Sequence, residues 1–179
     1  MSRIPFFDLA TATPEIRAFH DDLVKTHPLT NMKAVLLHSP VALKAVLEWY
    51  ALFDKVVPVI GKRGAVLFSF AISRANACEL CTTFMRREIV GWGDDPEHLT
   101  LNDQEQLLWD FGFQLAKDAN RIPDTLYARL EKAFTAEQIV DLTVFGALMI
   151  VNNVFNSALR IDVDQELDSF RIQPENYFV

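Results

Sequence analysis

Several protein classes are excluded by what this chain has little of. Only two of its 179 residues are cysteine, too few for a scaffold held by disulfides. Six glycines and eight prolines leave little material for linkers and exclude collagen-like or low-complexity chains. Basic residues number 17 against 24 acidic ones, a net charge of −7, so nucleic acid is not an expected partner. Arg86-Arg87 is too short a basic cluster to change that. The opening Met1-Ser-Arg-Ile-Pro-Phe-Phe-Asp-Leu has no long apolar stretch followed by a cleavage site. The most apolar run, Leu142 to Val151, is interrupted by Thr143 and Gly146 and closed by Asn152-Asn153. Neither a signal peptide nor a membrane span is expected, and the expected compartment is the cytoplasm. Structural disulfides are rare there, so the two cysteines need another explanation.

What is present is hydrophobic surface: half the residues are apolar and 14 are Phe. A domain of this size buries roughly 70% of the surface of its unfolded chain, enough for one core. The apolar residues recur at helical spacing, with no run of strand-type alternation, so an all-α single domain is expected. Thr13-Pro14 opens a first helix that stops at Thr26-His27-Pro28. After a short segment around Met32 to Leu37, Ser39-Pro40 opens a second, whose stripe Ala42, Val46, Trp49, Phe53 is expected to end before Pro58. Another helix is expected from Arg63, with a break near Asn76, through Cys78 to Val90, with Gly91 as the residue after its end. Asn102 to Glu105 and Thr135 to Gln138 have the spacing of capping boxes. The first launches a helix to about Asn120. The second launches a long helix to about Leu159, apolar on nearly all sides and therefore expected to be central. Between them, Pro123 opens a helix with Leu126, Leu130 and Phe134 as its buried face. The expected organisation is a core over about 39–160, an N-terminal helical arm over 1–38, and an acidic tail over 161–179 that forms an arm or a partly ordered terminus.

One pattern carries chemistry: Cys78-Glu79-Leu80-Cys81. Two cysteines placed at random would fall three apart in roughly one case in ninety. Residues three apart share a helix face, and the first turn of a helix stabilises a thiolate through its unpaired N–H groups and dipole. Asn76 is a candidate cap there. The pair therefore reads as a redox dithiol, in which one thiolate attacks and the other closes an intramolecular disulfide. Two buried cysteines acting as small hydrophobes are the simpler alternative. Zinc needs four ligands, and His20, His27, His38 and His98 show no ligand-type pairing. No metal and no cofactor is expected.

The stretch from Ala65 to Gly91 around Asn76-Ala-Cys-Glu-Leu-Cys resembles the core of the carboxymuconolactone decarboxylase and alkylhydroperoxidase AhpD-like superfamily. Leu37-His38-Ser39-Pro40, Leu101 to Leu108, Ala136 to Thr143, and Val151 to Leu159 resemble flanking segments of its peroxidase-related branch. The resemblance implies an AhpD-like helical fold that assembles into dimers, trimers or hexamers. It further implies a dithiol, Cys78 and Cys81, that reduces a peroxide or disulfide with electrons from a dithiol or lipoyl-protein donor. In the AhpD pattern a Glu lies twelve residues before the first Cys and a His four after the second. Here Val66 and Met85 stand at those places. A positioned acid or base contributes about 10² to 10⁴ in rate, so peroxide turnover is expected to be slow. A non-redox decarboxylase-like enzyme or a small-molecule-binding oligomer with inactive thiols is the alternative.

Other polar residues receive ordinary readings. Glu79 is expected on a solvated face and Arg74 at the surface or in an ion pair. His38 is expected at a helix entrance, with a place near the thiols as its sharper reading. Asn152, Asn153 and Asn156 are expected to bond between helices or subunits, with a polar pocket as the alternative. Trp49, Tyr50, Phe111 and Phe113 are expected in the core.

Overall fold

A computed structural model describes residues 2–172, and among these there is no strand: the fold is all-α, as expected. Seven helices follow in order: α1 (Pro14–Thr26), α2 (Asn31–Leu36), α3 (Pro40–Ala75), α4 (Glu79–Gly91), α5 (Asp103–Asp118), α6 (Asp124–Ala133) and α7 (Ala136–Leu159). Side-chain caps start most of them. Thr13, Thr30 and Ser39 accept from backbone N–H groups in the first turns of α1, α2 and α3. Asn102 and Thr135 form complete capping boxes with Glu105 and Gln138.

The second half of α3 is the centre of the molecule. Every residue from Gly64 to Ser73 is buried, because α4, α5 and α7 all pack against it. Phe68 sits at the crossing with α5 and α7. A Cβ on Gly112 would lie 2.9 Å from the Phe68 ring and its carbonyl oxygen, and one on Gly146 would lie 2.9 Å from the ring. Glycine at these two sites lets three helix backbones approach one aromatic ring closely. The apolar C-terminal helix α7 joins this core through one face, with Ile139, Leu142, Phe145 and Met149 buried. Its opposite stripe, Val140, Val144, Val151 and Val154, is between 45 and 60% exposed. By length and hydropathy both α3 and α7 are long and apolar enough to cross a membrane, and two-thirds of the most apolar window of α3 is buried inside this fold.

Three local expectations are corrected. The helix from Pro40 does not end before Pro58. It continues to Gly61, where φ 73° and ψ 158° leave the helical region and the chain bends before resuming. Pro58 removes a single hydrogen bond that a neighbouring turn can absorb, whereas the left-handed φ at 61 is open to glycine at low cost. Gly91 is the last helical residue, and Gly93 (φ 85°) takes the positive-φ position beyond it. The segment after α7 packs as far as residue 172. Ile161, Val163 and Leu167 form a small core with Val35 and Leu80. Arg86 holds the Phe170 carbonyl at 2.8 Å and Arg171 pairs with Glu79 at 2.7 Å. The expectation of an arm or partly ordered terminus does not hold for these residues, because alternate apolar side chains there find buried partners. The remainder of that expectation, over 173–179, lies outside the described residues. The N-terminal segment forms its own small core, Leu23, Leu36 and Leu37 packing on Leu43 and Val46 of α3.

Candidate functional site

The site begins with how α3 stops. Asn76 caps it, Ala77 takes φ 49°, and the chain turns back on two hydrogen bonds, Ala77 N–H to the Arg74 carbonyl and Cys78 N–H to the Ser73 carbonyl, both 3.0 Å. These are the paired bonds of a Schellman motif, with alanine in the place that glycine usually fills. The motif delivers Cys78 to the N-cap of α4, where its carbonyl accepts from Thr82 N–H at 2.9 Å. Cys81 follows in the first turn. Asn76, expected as a cap for the dithiol helix, ends the previous helix instead.

Both cysteines are free and buried, Cys78 1% and Cys81 5% exposed. The asparagines of α7 surround them. Asn156 donates its amide to the Cys81 sulfur at 3.2 Å. Asn153 donates to the Ser73 hydroxyl at 3.3 Å and accepts from the Asn76 amide at 3.1 Å, which pins the turn that carries Cys78. Of the two readings left open by sequence, Asn153 therefore bonds between helices, while Asn152 and Asn156 line a pocket.

The surroundings split the two thiols. Cys78 is held below the usual thiol range, chiefly by the S–H of Cys81 donating to it. Burial opposes this, and the backbone N–H of Cys81, the Ser157 hydroxyl and the Asn153 amide reinforce it. Cys81 is pushed well up because it donates to Cys78, because it is buried, and because a negative Cys78 would face it; the Asn156 and Asn153 amides act the other way. The two thiols titrate as a coupled pair in which Cys78 gives up its proton before Cys81. Cys78 also sits at the positive end of α4, which favours its thiolate.

Two spaces flank the pair. Cys78 borders an open polar cleft of about 390 Å³ with Glu79, Arg160, Asp162 and Arg171 on its walls. Cys81 borders a second, tighter cavity of about 80 Å³, walled largely by apolar side chains such as Trp49, Phe84, Met85 and Met149. Leu80 and Asn156 belong to both walls.

The remaining candidates fall as follows. Val66 is buried in the core and Met85 lines the Cys81 cavity, so the two positions of the AhpD relay hold apolar side chains. His38 approaches neither thiol: its Nε2 meets the Pro5 carbonyl at 2.9 Å and its ring stands edge-on to Phe7. Glu79 pairs with Arg171, and Arg74 with Glu97 at 3.4 Å. Phe111 is core, but Phe113 is 37% exposed, beneath Lys117. Trp49 and Tyr50 pack at the edge of the core and line the Cys81 cavity, a role that helical spacing alone did not separate from core packing.

Sequence reasoning missed Lys33 and Asp164, which also line that cavity. Lys33 is 1% exposed and donates to the Pro28 carbonyl at 2.9 Å. Burial lowers its pKa to about 8, against the charge of Asp164. Asp164, raised by burial, accepts from the Asn31 N–H at 2.6 Å. The available signal was a lysine set among Met32, Val35 and Leu36 in a short segment, with no polar face of its own.

No protein-family model matches the chain, and no curated protein matches it. Solved structures do. An uncharacterised peroxidase-related protein with an alkylhydroperoxidase AhpD core, from Ralstonia eutropha JMP134, superposes with a TM-score of 0.65 at 19% identity, over 93% of this chain and 94% of its own. An uncharacterised peroxidase-related protein from Silicibacter sp. TM1040 gives 0.67 at 18%, over 92% and 95%. A protein of unknown function from Agrobacterium tumefaciens, provisionally named as an AhpD antioxidant-defence protein, gives 0.59 at 23%, over 72% and 94%. At this level of identity the likeness is one of architecture, and it identifies the chain as a bearer of the all-α AhpD-like fold of peroxidase-related proteins.

Proposed function

We propose that this chain is a thiol-disulfide oxidoreductase with weak alkylhydroperoxidase activity, in which Cys78 attacks and Cys81 resolves. The observation that carries the reading is the position of Cys78: N-cap of α4, beside the open polar cleft, with Cys81 in the first turn of the same helix. The Cys78 thiolate displaces on the distal oxygen of a hydroperoxide; the O–O bond breaks, an S–O bond forms, and the alkoxide takes a proton to leave as the alcohol. The Cys81 sulfur then displaces water from the sulfenic acid and closes the disulfide. A dithiol or a lipoyl-protein restores both thiols by exchange. With Val66 and Met85 in the relay positions, the proton for the leaving oxygen comes from water in the cleft, and turnover is slow.

The cytoplasm is the compartment in which such a pair would be kept reduced. The oligomer belongs to the same proposal. Val140, Val144, Ala147, Val151, Val154 and Ala158 are exposed on α7 at alternating spacings of four and three, the pattern of a helix seam that packs against a second copy. Peroxide titration followed by alkylation and mass measurement tests the chemistry. A 2 Da loss confined to the peptide holding both cysteines is expected. Two thiols that stay alkylatable after oxidant would end the reading and leave the alternative of a ligand-binding oligomer with inactive thiols.

A further inference from the structure

Five buried side-chain polar atoms among the described residues have no hydrogen-bond partner: Trp49 Nε1, Thr83 Oγ1, Asn152 Oδ1, Asn156 Oδ1 and Asp164 Oδ2. Four of these five belong to residues that line the cavity beside Cys81. Each such atom costs about 1–3 kcal/mol when left unpaired, and native domains carry few of them. Asn152, Asn156 and Asp164 are 8, 3 and 5% exposed, so bulk water does not relieve them. Their gathering around one cavity sets polar groups with unused hydrogen-bonding capacity into an otherwise apolar wall.

The groups specify the occupant's chemistry. Asn152, Asn156 and Asp164 carry unpaired acceptors and the Trp49 indole an unpaired donor, while Lys33 keeps donors beyond the one spent on Pro28. A hydroxyl group donates one hydrogen bond and accepts up to two, so one hydroxyl engages one of the acceptors and can still accept from both donors. A carboxylate only accepts, leaves the amide oxygens unpaired and faces Asp164. An ammonium only donates and faces Lys33. The rest of the wall, Val46, Leu47, Phe84 and Met149, asks for hydrocarbon. A cavity of about 80 Å³ is about half the space that holds benzene in a dry engineered core and takes a body of no more than about four carbons.

We propose that the Cys81 cavity is a binding site for a small uncharged molecule with a hydroxyl head on a short apolar body. The cavity reaches the resolving sulfur, while Cys78 lines the separate cleft, so this ligand is bound apart from the oxidant. The site stands whether or not the dithiol is redox-active. Two segments peripheral in sequence build its polar end: Lys33 comes from α2 and Asp164 from the chain after α7, clamped together by the Asn31–Asp164 bond.

The test is NMR titration of the full-length Cys78→Ser protein, in which dithiol turnover is impossible. The probes are butan-1-ol, 1-chlorobutane, butyrate and butylammonium. Butan-1-ol is expected to give saturable shifts at the Trp49 indole and to bind at least fivefold tighter than the other three. The Asn152→Leu variant, which removes one unpaired acceptor, is expected to lose at least fivefold toward butan-1-ol and to keep its affinity for 1-chlorobutane. The retained chlorobutane affinity also reports that the variant is folded. Equal binding of butan-1-ol and 1-chlorobutane would reduce the site to an apolar hole. Tightest binding of butyrate would make it an anion site at Lys33. No saturable shift, with ordered water alone in a crystal soaked in butan-1-ol, would remove the site. Each of these three results overturns the proposal.

Discussion

Asn156 holds the sulfur of Cys81 at 3.2 Å through its amide, while its own carbonyl oxygen is buried without a partner. One side chain therefore ties the Cys81 thiol to α7 and supplies a wall to both spaces around the two cysteines. The amide favours the thiolate form of Cys81, the form that must leave when the disulfide is reduced. Hydrogen bonds to charged groups contribute about 1.5–3 kcal/mol. Asn156→Ala should slow reduction of the Cys78–Cys81 disulfide by dithiothreitol roughly tenfold. Formation of the disulfide, in which Cys81 attacks, should change less. Stopped-flow measurement of both directions checks this; an equal effect on both would mean that Asn156 only holds the helix in place.

The alanine at φ 49° before Cys78 sits where a left-handed residue costs about 1–2 kcal/mol unless it is glycine. Ala77→Gly should stabilise the fold by about 1 kcal/mol, less whatever entropy glycine adds to the unfolded chain. Urea denaturation of the reduced protein measures it. A loss of stability would show that the Ala77 methyl makes a contact worth more than the strain.

How much of this was legible in sequence follows from the range of each interaction. The capping boxes at Asn102 and Thr135, the Ser39-Pro40 start and the cysteine spacing are written within four residues, and each stands where expected. The bend at Gly61 was hidden behind Pro58, since both residues break helices and only the fold decides which one does. The Cys81 cavity was not legible at all. Lys33 and Asp164 lie on segments joined only by tertiary packing, and Trp49 and Tyr50 carry the same helical period whether they face a core or a cavity. His38 was readable only as one of two alternatives, and its contact with Pro5 settles it at the helix entrance.

Lys33 gives a pH signature. Its folded pKa of about 8 lies below the ordinary 10.5, so between those values the unfolded chain binds more protons and stability rises with pH. Below about pH 8 both states are protonated and the folded state carries the full cost of a buried charge. The rise should be about 2 kcal/mol after allowance for screening, and it should vanish in Lys33→Met. The readout is the difference between the two proteins in urea unfolding from pH 7 to 10.5 with both cysteines replaced by serine. A flat difference would mean that Lys33 reaches solvent.

The exposed valine seam of α7 predicts assembly. Lysine at two of its positions, in Val144→Lys with Val151→Lys, introduces like charges at the centre of a paired seam and should release a monomer of 20.4 kDa. Both sites are 45 and 48% exposed in the single chain, so the fold itself should lose little stability. Light scattering distinguishes the outcomes. A parent that is already monomeric at micromolar concentration removes the oligomer from the proposal.

The relay positions separate a gain in chemistry from a loss of fold. Met85 lines the Cys81 cavity, so Met85→His places an imidazole on the wall that already holds the Cys81 sulfur. Val66 is different: it is 4% exposed inside the central stretch of α3, and a carboxylate there would be buried with no cation beside it, at a cost of about 3–5 kcal/mol. Met85→His alone should raise peroxide consumption with a dithiol reductant by about tenfold, less than the 10² to 10⁴ of a fully positioned acid or base because its carboxylate partner is absent. Val66→Glu alone should lower the melting temperature and leave the rate near that of the parent. The double variant should recover part of that stability if the histidine, once protonated, pairs with the new carboxylate, and its rate should then exceed that of either single change. Cys78→Ser must abolish the activity in every background. If Met85→His leaves the rate unchanged in a folded protein whose activity still needs Cys78, proton delivery at that wall does not limit turnover. The slow step would then lie on the cleft side, where Glu79 and Asp162 are the carboxylates nearest to hand around Cys78.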